Sequence, residues 1–247
     1  MNVNDKPERI RDLLLDNQPE RSRDFWPWLG PLEGNPADKK SANKFLLGCM
    51  VDFRKNSDLV WRDTQVFAED KLCDPDSLWE AITDTPEIEW KTRRHKLRCS
   101  LHYYQRRHDK VWDMAKRITE QYGGDARKIW GGVSTEETLT RLVRLGLGPW
   151  VSRMTVGGLI DTRQISGRMD LKADTHVRRV LGRVFDGEKV SEQTAFRHAD
   201  AMVPGDSWQL DHSLYILGQS VCTANKPKCH SCYLNVECRY FQRDLGA

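Results

Sequence analysis

Four of the chain's seven cysteines fall between residues 222 and 238, in the stretch CTANKPKCHSCYLNVEC, spaced C-x6-C-x2-C-x5-C. Thiolates are soft ligands, and four in a short loop suit either a tetrahedral zinc or an iron–sulfur cube. Structural zinc sites usually pair two short knuckles. Here a single C-x2-C, Cys229 and Cys232, is flanked by longer arms to Cys222 and Cys238. Longer arms wrap a larger object, so the spacing favours a cluster over zinc, and either over a set of merely buried thiols. Cys49, Cys73 and Cys99 lack partner spacing and are expected to be small core residues. Two further features have chemical potential. Asp174, in LKADTHVRRVLGRV (171–184), stands before a helical run, where a carboxylate alone is first of all an N-cap. Gly146-Leu147-Gly148, in RLVRLGLGPWVSRMTVGGLI (141–160), offers a tight turn that lets a backbone approach a phosphate. Ordinary turns between helices share that pattern.

The elements that must position these residues are helical. ERIRDLLLD places Ile10, Leu13 and Leu14 on one face, DKVWDMAKRITEQY does so with Val111, Met114, Ile118 and Tyr122, and DTHVRRVLGRVF with Val177, Val180, Leu181, Val184 and Phe185. Gly and Pro punctuation at 30–40, 73–77, 122–125, 146–149 and 203–207 separates such runs, and strand-like alternation is scarce. The fold class expected is all-α, with many short helices. The 247 residues, 38% hydrophobic and 30% charged, suffice for one large core or two modest ones. Neither a secretory apolar core nor a membrane-length stretch is seen, so a cytoplasmic, nucleoid-associated location with reduced thiols is expected. The net charge of +3 excludes little, but residues 91–110 hold eight Lys or Arg against one Asp, with Tyr103 and Tyr104 among them. Such a run suits phosphate contact, although an isolated one is more often a solvated helix face.

The cysteine spacing and its place near the C-terminus resemble the [4Fe–4S] loop of helix-hairpin-helix DNA glycosylases of the endonuclease III and adenine glycosylase branch. SWQLDHSLYILGQSVC (207–222) is similar to the helix leading into that loop, the Gly146–Gly148 turn to the hairpin, and ADTHV to the family's VDTHV signature. The resemblance covers roughly 43–240. It implies a six-helix domain over 43–160 ending in the hairpin, and an iron–sulfur domain made of 1–42 with 161–247, with DNA and the pocket between them. It further implies Asp174 as the catalytic carboxylate, and Cys222, Cys229, Cys232 and Cys238 as ligands of a [4Fe–4S] cluster. DNA contacts would come from Gly146, Leu147 and Gly148 and from Lys226, Lys228 and Arg239 around the loop. The partner would be double-stranded DNA carrying a damaged, mismatched or modified base, bound by a monomer.

Three departures refine this expectation. The place of the lysine that forms a Schiff base in bifunctional members is taken by Trp150, which closes that route at that position and points to a monofunctional glycosylase leaving an abasic site. Trp150 is expected either to stack on the extruded base or to pack within the hairpin. Residues 161–172 look like an inserted polar loop. The family's gap-filling LLSxQxTD segment is replaced around MVDFRKN, leaving Asp52 and Arg54 as candidates for the base pocket or the DNA gap. The chain runs nine residues past Cys238, so no extra recognition domain, and no adenine opposite oxidised guanine, is expected. The rival expectation is a non-catalytic iron–sulfur protein on the same fold that binds DNA or senses redox state.

Overall fold

The computed structural model describes residues 5–19, 26, 29, 36–52, 57–68, 77–93 and 105–244. In chain order its α-helices are α1 (Lys6–Asp16), α2 (Lys39–Val51), α3 (Ser57–Val66), α4 (Leu78–Asp84), α5 (Glu87–Arg93), α6 (Gln105–Tyr122), α7 (Arg127–Trp130), α8 (Thr135–Leu145), α9 (Pro149–Asp161), α10 (Thr175–Phe185), α11 (Glu192–Met202), α12 (Asp211–Ser220) and α13 (Arg239–Asp244). Short 3-10 turns cover Ser207–Leu210, Cys229–Ser231 and Asn235–Glu237. Among the described residues all regular structure is helical, as the periodicity predicts, and no helix is long and apolar enough to cross a membrane. The chain divides into two compact units, one of Met1–Glu20 with Arg168–Ala247, the other Arg21–Gly167.

The continuous unit is organised on α2. Asp38 caps this helix by accepting from the Ser41 amide at 2.7 Å, and every residue from Ala42 to Val51 is buried. A helix apolar on nearly all sides belongs at the centre of its neighbours. Cys49 lies in this core, while Cys73 and Cys99 fall outside the described residues. Phe45 stacks on Trp61 at 6.0 Å between ring centroids and meets Trp26 edge-on at 6.0 Å. A Cβ at Gly48 would lie 2.0 Å from the Trp61 ring, so only glycine admits that indole. Asn43, fully buried, uses both ends of its amide, donating to Gly124 O at 3.1 Å and accepting from Ala126 N at 3.0 Å. That pairing fixes the turn between α6 and α7 without leaving a buried polar atom exposed to hydrocarbon.

The discontinuous unit buries Ile10 and Leu14 of α1 with Val177, Val180, Leu181 and Val184 of α10, Ala195 and Ala199 of α11, and Leu214 and Leu217 of α12. Three polar ties hold α1 in place. Lys6 Nζ donates to Val184 O at 3.0 Å, Ser213 Oγ donates to Leu14 O at 2.8 Å, and Arg9 forms a two-bonded pair with Glu237 at 2.9 and 3.2 Å. The Arg9 hydrogen bond holds the Glu237 carboxyl below the usual glutamate range. Where α10 ends, Gly182 lets the returning chain pass close: a Cβ there would lie 2.2 Å from Glu188 O and 2.7 Å from Val190 N.

Two outcomes follow for stability. Gly182→Ala should lower it by about 1–3 kcal/mol, the usual cost of overpacking, because the obstructing atoms are backbone; an unchanged denaturation midpoint would refute that packing. Glu237's depressed value means that its contribution is present above the ordinary glutamate pKa of about 4.3 and is lost as pH falls through the lower folded value. The stability gap between wild type and Arg9→Ala, measured by urea unfolding, should therefore be open at pH 7 and close in strong acid.

Candidate active site and iron–sulfur loop

Asp174 sits where an extended segment turns into α10. That segment is held along its length: Trp208 N donates to Met169 O at 2.9 Å, Leu171 N to Ser207 Oγ at 3.0 Å, and Lys172 N to Asp211 Oδ1 at 3.3 Å. Met169 and Leu171 are buried, so this half of the expected polar loop is anchored in the core. Asp174 then caps the helix, its Oδ1 accepting from His176 N at 2.8 Å and Val177 N at 3.1 Å. Capping by a carboxylate satisfies amides that have no partner within the helix, and it places negative charge at the positive end of the dipole. The second oxygen, Oδ2, does not share that work. It lies 3.5 Å from Lys172 Nζ, with 17% of the Asp174 side chain and 20% of the Lys172 side chain exposed. One oxygen thus fixes the carboxylate's direction while the other remains partly open for chemistry.

The four cysteines of the loop line one open-mouthed cavity of about 370 Å³, together with Leu217, Pro227 and other apolar side chains. Among the described residues no three His, Cys, Asp or Glu groups close on a point as ligands of a single metal ion. Burial pushes the Cys232 thiol up to about 11 and raises Cys229 and Cys238 too, with neighbouring sulfurs adding to the effect. Thiols so placed are poor thiolates by themselves, and a cationic metal group is what would stabilise their ionised form.

Two arginines join α10 to this loop. Arg179, buried, donates to Gly218 O at 2.6 Å and Cys222 O at 2.7 Å, and its Nη2 lies 3.1 Å from His176 Nδ1. Guanidinium has no acceptor, so Nδ1 accepts and the neutral ring carries its proton on Nε2. One turn later Arg183 donates to Thr223 O at 2.7 Å and Ala224 O at 2.9 Å and meets Cys222 Sγ at 3.4 Å. Its guanidinium also lies over the Tyr240 ring at 4.8 Å. Lys226, Lys228 and Arg239, the loop's predicted DNA contacts, are all exposed.

The hairpin lies in the other unit. α8 starts on Ser134, whose hydroxyl accepts from Glu137 N, and ends on Gly146 in the left-handed region at φ 107°. Gly146 N donates to Val143 O and Leu147 N to Leu142 O at 3.1 Å, and the buried Leu147 side chain plugs the turn. Arg117 donates to the carbonyls of Arg144 and Leu145, covering the end of α8. Gly148 then opens α9 with Pro149 at its first position, and a Cβ at Gly148 would meet open space. The first hydrogen bond of α9 runs from Ser152 N to Gly148 O, so the amides of Trp150 and Val151 precede the helical ladder. Trp150, in the first turn of α9, is 38% exposed. Asp52 is the C-cap of α2, with its amide on Gly48 O at 2.9 Å; Arg54 and most of the basic run at 91–110 lie outside the described residues.

Sequence reasoning did not single out Lys172, Arg179 or Arg183. The signals were present: an i, i+2 pair on an extended stretch shares a side, as do i, i+4 residues on a helix.

No family model matches the chain. A curated relative, endonuclease III of Thermotoga maritima, is 22% identical over 141 residues, which is 57% of this chain and 60% of that protein, so the match spans less than two thirds of the relative's length. Among solved structures, a trapped covalent endonuclease III–DNA intermediate aligns over 98% of this chain and 99% of that one with a TM-score of 0.63 and 17% identity. A thermostable thymine-DNA glycosylase aligns over 98% and 99%, with a TM-score of 0.65 and 18% identity. A non-covalent endonuclease III–DNA complex aligns over the full length of both chains, with a TM-score of 0.65 and 16% identity. The chain therefore has the fold of these endonuclease III and thymine-DNA glycosylase structures.

Proposed function

We propose that this protein is a monofunctional DNA glycosylase, which turns a damaged or modified base out of double-stranded DNA and hydrolyses its N-glycosidic bond. The observation that carries the reading is Asp174, whose Oδ1 caps the helix while its Oδ2, 3.5 Å from Lys172 Nζ, takes no part in capping, on a side chain that is 17% exposed. As the bond to the base stretches, positive charge grows on the deoxyribose, and a fixed carboxylate beside C1′ stabilises it. Water adds its hydroxyl to C1′ and its proton goes to the departing base. Asp174 orients that water and takes up the proton in transit. Because its capping bonds are already made, it needs no rearrangement at that moment.

The hairpin supplies binding. Gly146 and Gly148 bring the backbone close to a phosphate, and the Trp150 and Val151 amides receive its charge. The exposed Trp150 indole stacks on the extruded base, which offsets the few kcal/mol, roughly, that unstacking costs. Asp52 and Arg54 border the gap left in the duplex. Lys226, Lys228 and Arg239 neutralise further phosphates, a contribution that weakens as salt rises. Cys222, Cys229, Cys232 and Cys238 hold a [4Fe–4S] cluster, an arrangement supported by their spacing and by the one cavity that all four line. When bound, the cluster would staple the loop and so hold its basic side chains in one arrangement.

The decisive assay offers the protein duplexes bearing uracil, thymine mismatches, hypoxanthine, alkylated purines, oxidised pyrimidines or hydroxymethylated and glucosylated pyrimidines. Release of free base from wild type is expected, with Asp174→Asn retaining duplex binding but losing release. Full activity in that variant would remove Asp174 from the mechanism, and binding without release across the panel would favour a non-catalytic DNA-binding protein. The cluster has its own test. Purified protein should carry close to four irons per chain, as a [4Fe–4S] group requires, and absorb broadly near 400 nm. Arg183→Ala, which frees the 222–224 segment, should lose iron faster to a chelator. Stoichiometric zinc instead would overturn the assignment.

A further inference from the structure

Residues 145–152, the hairpin turn and the start of α9, carry no charged side chain. A phosphate brought to the Trp150 and Val151 amides meets only the partial charges of a helix start there. Two arginines stand at the same turn. Arg144 belongs to the last turn of α8 and is exposed. Arg117 reaches the turn from α6 and is exposed too, its Nη1 donating to Arg144 O and Leu145 O, both at 3.2 Å. The same nitrogen lies 3.5 Å from where a Cβ of Gly146 would stand, so this guanidinium sits directly beside the turn. Among the described residues neither Arg117 nor Arg144 pairs with a carboxylate, although nearby cations do: Lys116 lies 3.9 Å from Glu120, and Arg141 lies 2.8 Å from Glu137. Both carbonyl bonds of Arg117 use Nη1, which leaves the edge formed by Nε and Nη2. With that same edge Arg9 grips both oxygens of Glu237, at 2.9 and 3.2 Å.

We propose that Arg117 and Arg144 form a side-chain phosphate subsite beside the hairpin turn, supplying the charge that the turn itself lacks. The inference rests on the reading that the hairpin lies against DNA. The carbonyl bonds anchor one nitrogen of Arg117, so its remaining edge keeps its direction and little side-chain freedom is lost when a phosphate arrives. A planar fork of this kind meets two oxygens of one phosphate. Arg144 donates no bond to the turn and contributes charge from the neighbouring end of α8. The exposed backbone at Gly146 and Gly148 lets the sugar-phosphate chain come close enough to use amides and guanidinium together. Such a subsite reads no base. It holds every duplex alike, and so governs how long the protein stays on DNA, not which lesion it selects.

The test measures binding of the full-length protein to an undamaged duplex and to one with a preformed abasic site, by fluorescence anisotropy over a range of potassium chloride concentrations. It does not depend on which base the protein removes. The slope of log affinity against log salt counts the phosphates neutralised, about 0.9 for each in B-form DNA. Arg117→Gln removes the charge and should lower that slope by about one on both duplexes. Arg144→Gln, which disturbs no bond to the turn, should do the same with an unchanged urea midpoint, and the double variant should lose about two. If Arg117 only braces the end of α8, Arg117→Gln lowers the urea midpoint and keeps the wild-type slope. A wild-type slope in either folded variant overturns the subsite, and if Arg117→Gln does not fold, Arg144→Gln decides alone. The two readings fail separately: a wild-type protein whose binding is absent or insensitive to salt refutes the hairpin as a DNA contact, whereas salt-dependent binding that both variants retain in full refutes only the arginine subsite.

Discussion

The hydrogen bonds from Arg179 and Arg183 to the carbonyls of Gly218, Cys222, Thr223 and Ala224 join the two chemically distinctive parts of the discontinuous unit. Both arginines project from α10, the helix that begins at Asp174. Carbonyls at a helix end need donors, and here α12 receives them from a buried guanidinium rather than from water. A charge as buried as that of Arg179 persists only when its protons are shared among acceptors, and Cys222 O, Gly218 O and His176 Nδ1 provide them. The direction of the carboxylate and the entry of the cysteine loop are therefore set by one rigid helix. A disturbance at either end of α10 is felt along it, since Cys238 Sγ also meets Arg183 O at 3.5 Å.

The hairpin solves a different problem with different means. Its turn depends on Gly146 at positive φ, on the Leu147 plug and on Arg117 over the last carbonyls of α8. None of these groups is itself free to do chemistry. They shape the turn that leads into α9, where the amides of Trp150 and Val151 precede the helical ladder. The exposed indole of Trp150 then stands at the same helix start, where an amine would have added charge and reactivity and the ring adds only surface and polarisability.

Much of this was legible in the sequence because the signals were local. Helical periodicity gave α1, α6 and α10 with their buried faces, and Gly-x-Gly before proline marked the hairpin turn. The N-cap preference of aspartate read Asp174's local role correctly, and Oδ1 performs it. What remained hidden depends on distant pairings. The burial of α2 from Ala42 to Val51 is not evident from a segment that contains Asn43 and Lys44, because the partner groups at 124, 126 and 65 lie far along the chain. Trp26 and Trp61 meet Phe45 only in three dimensions. Lys172 escaped attention for the opposite reason: it is adjacent to the signature, and a lysine in an extended stretch looks like solvated surface until its pairing with Asp174 Oδ2 is seen.

The ties of α1 bear on how the protein is made. Arg9 awaits Glu237, Lys6 awaits the carbonyl of Val184, and Leu14 awaits Ser213. During synthesis α1 emerges well before the helices that cover its hydrophobic face, whereas residues 21–167 form a unit continuous in sequence that can condense while translation continues. The unit holding Asp174 and the four cysteines closes last. A nascent chain therefore has its hairpin assembled before the Asp174 carboxylate is fixed at the start of α10.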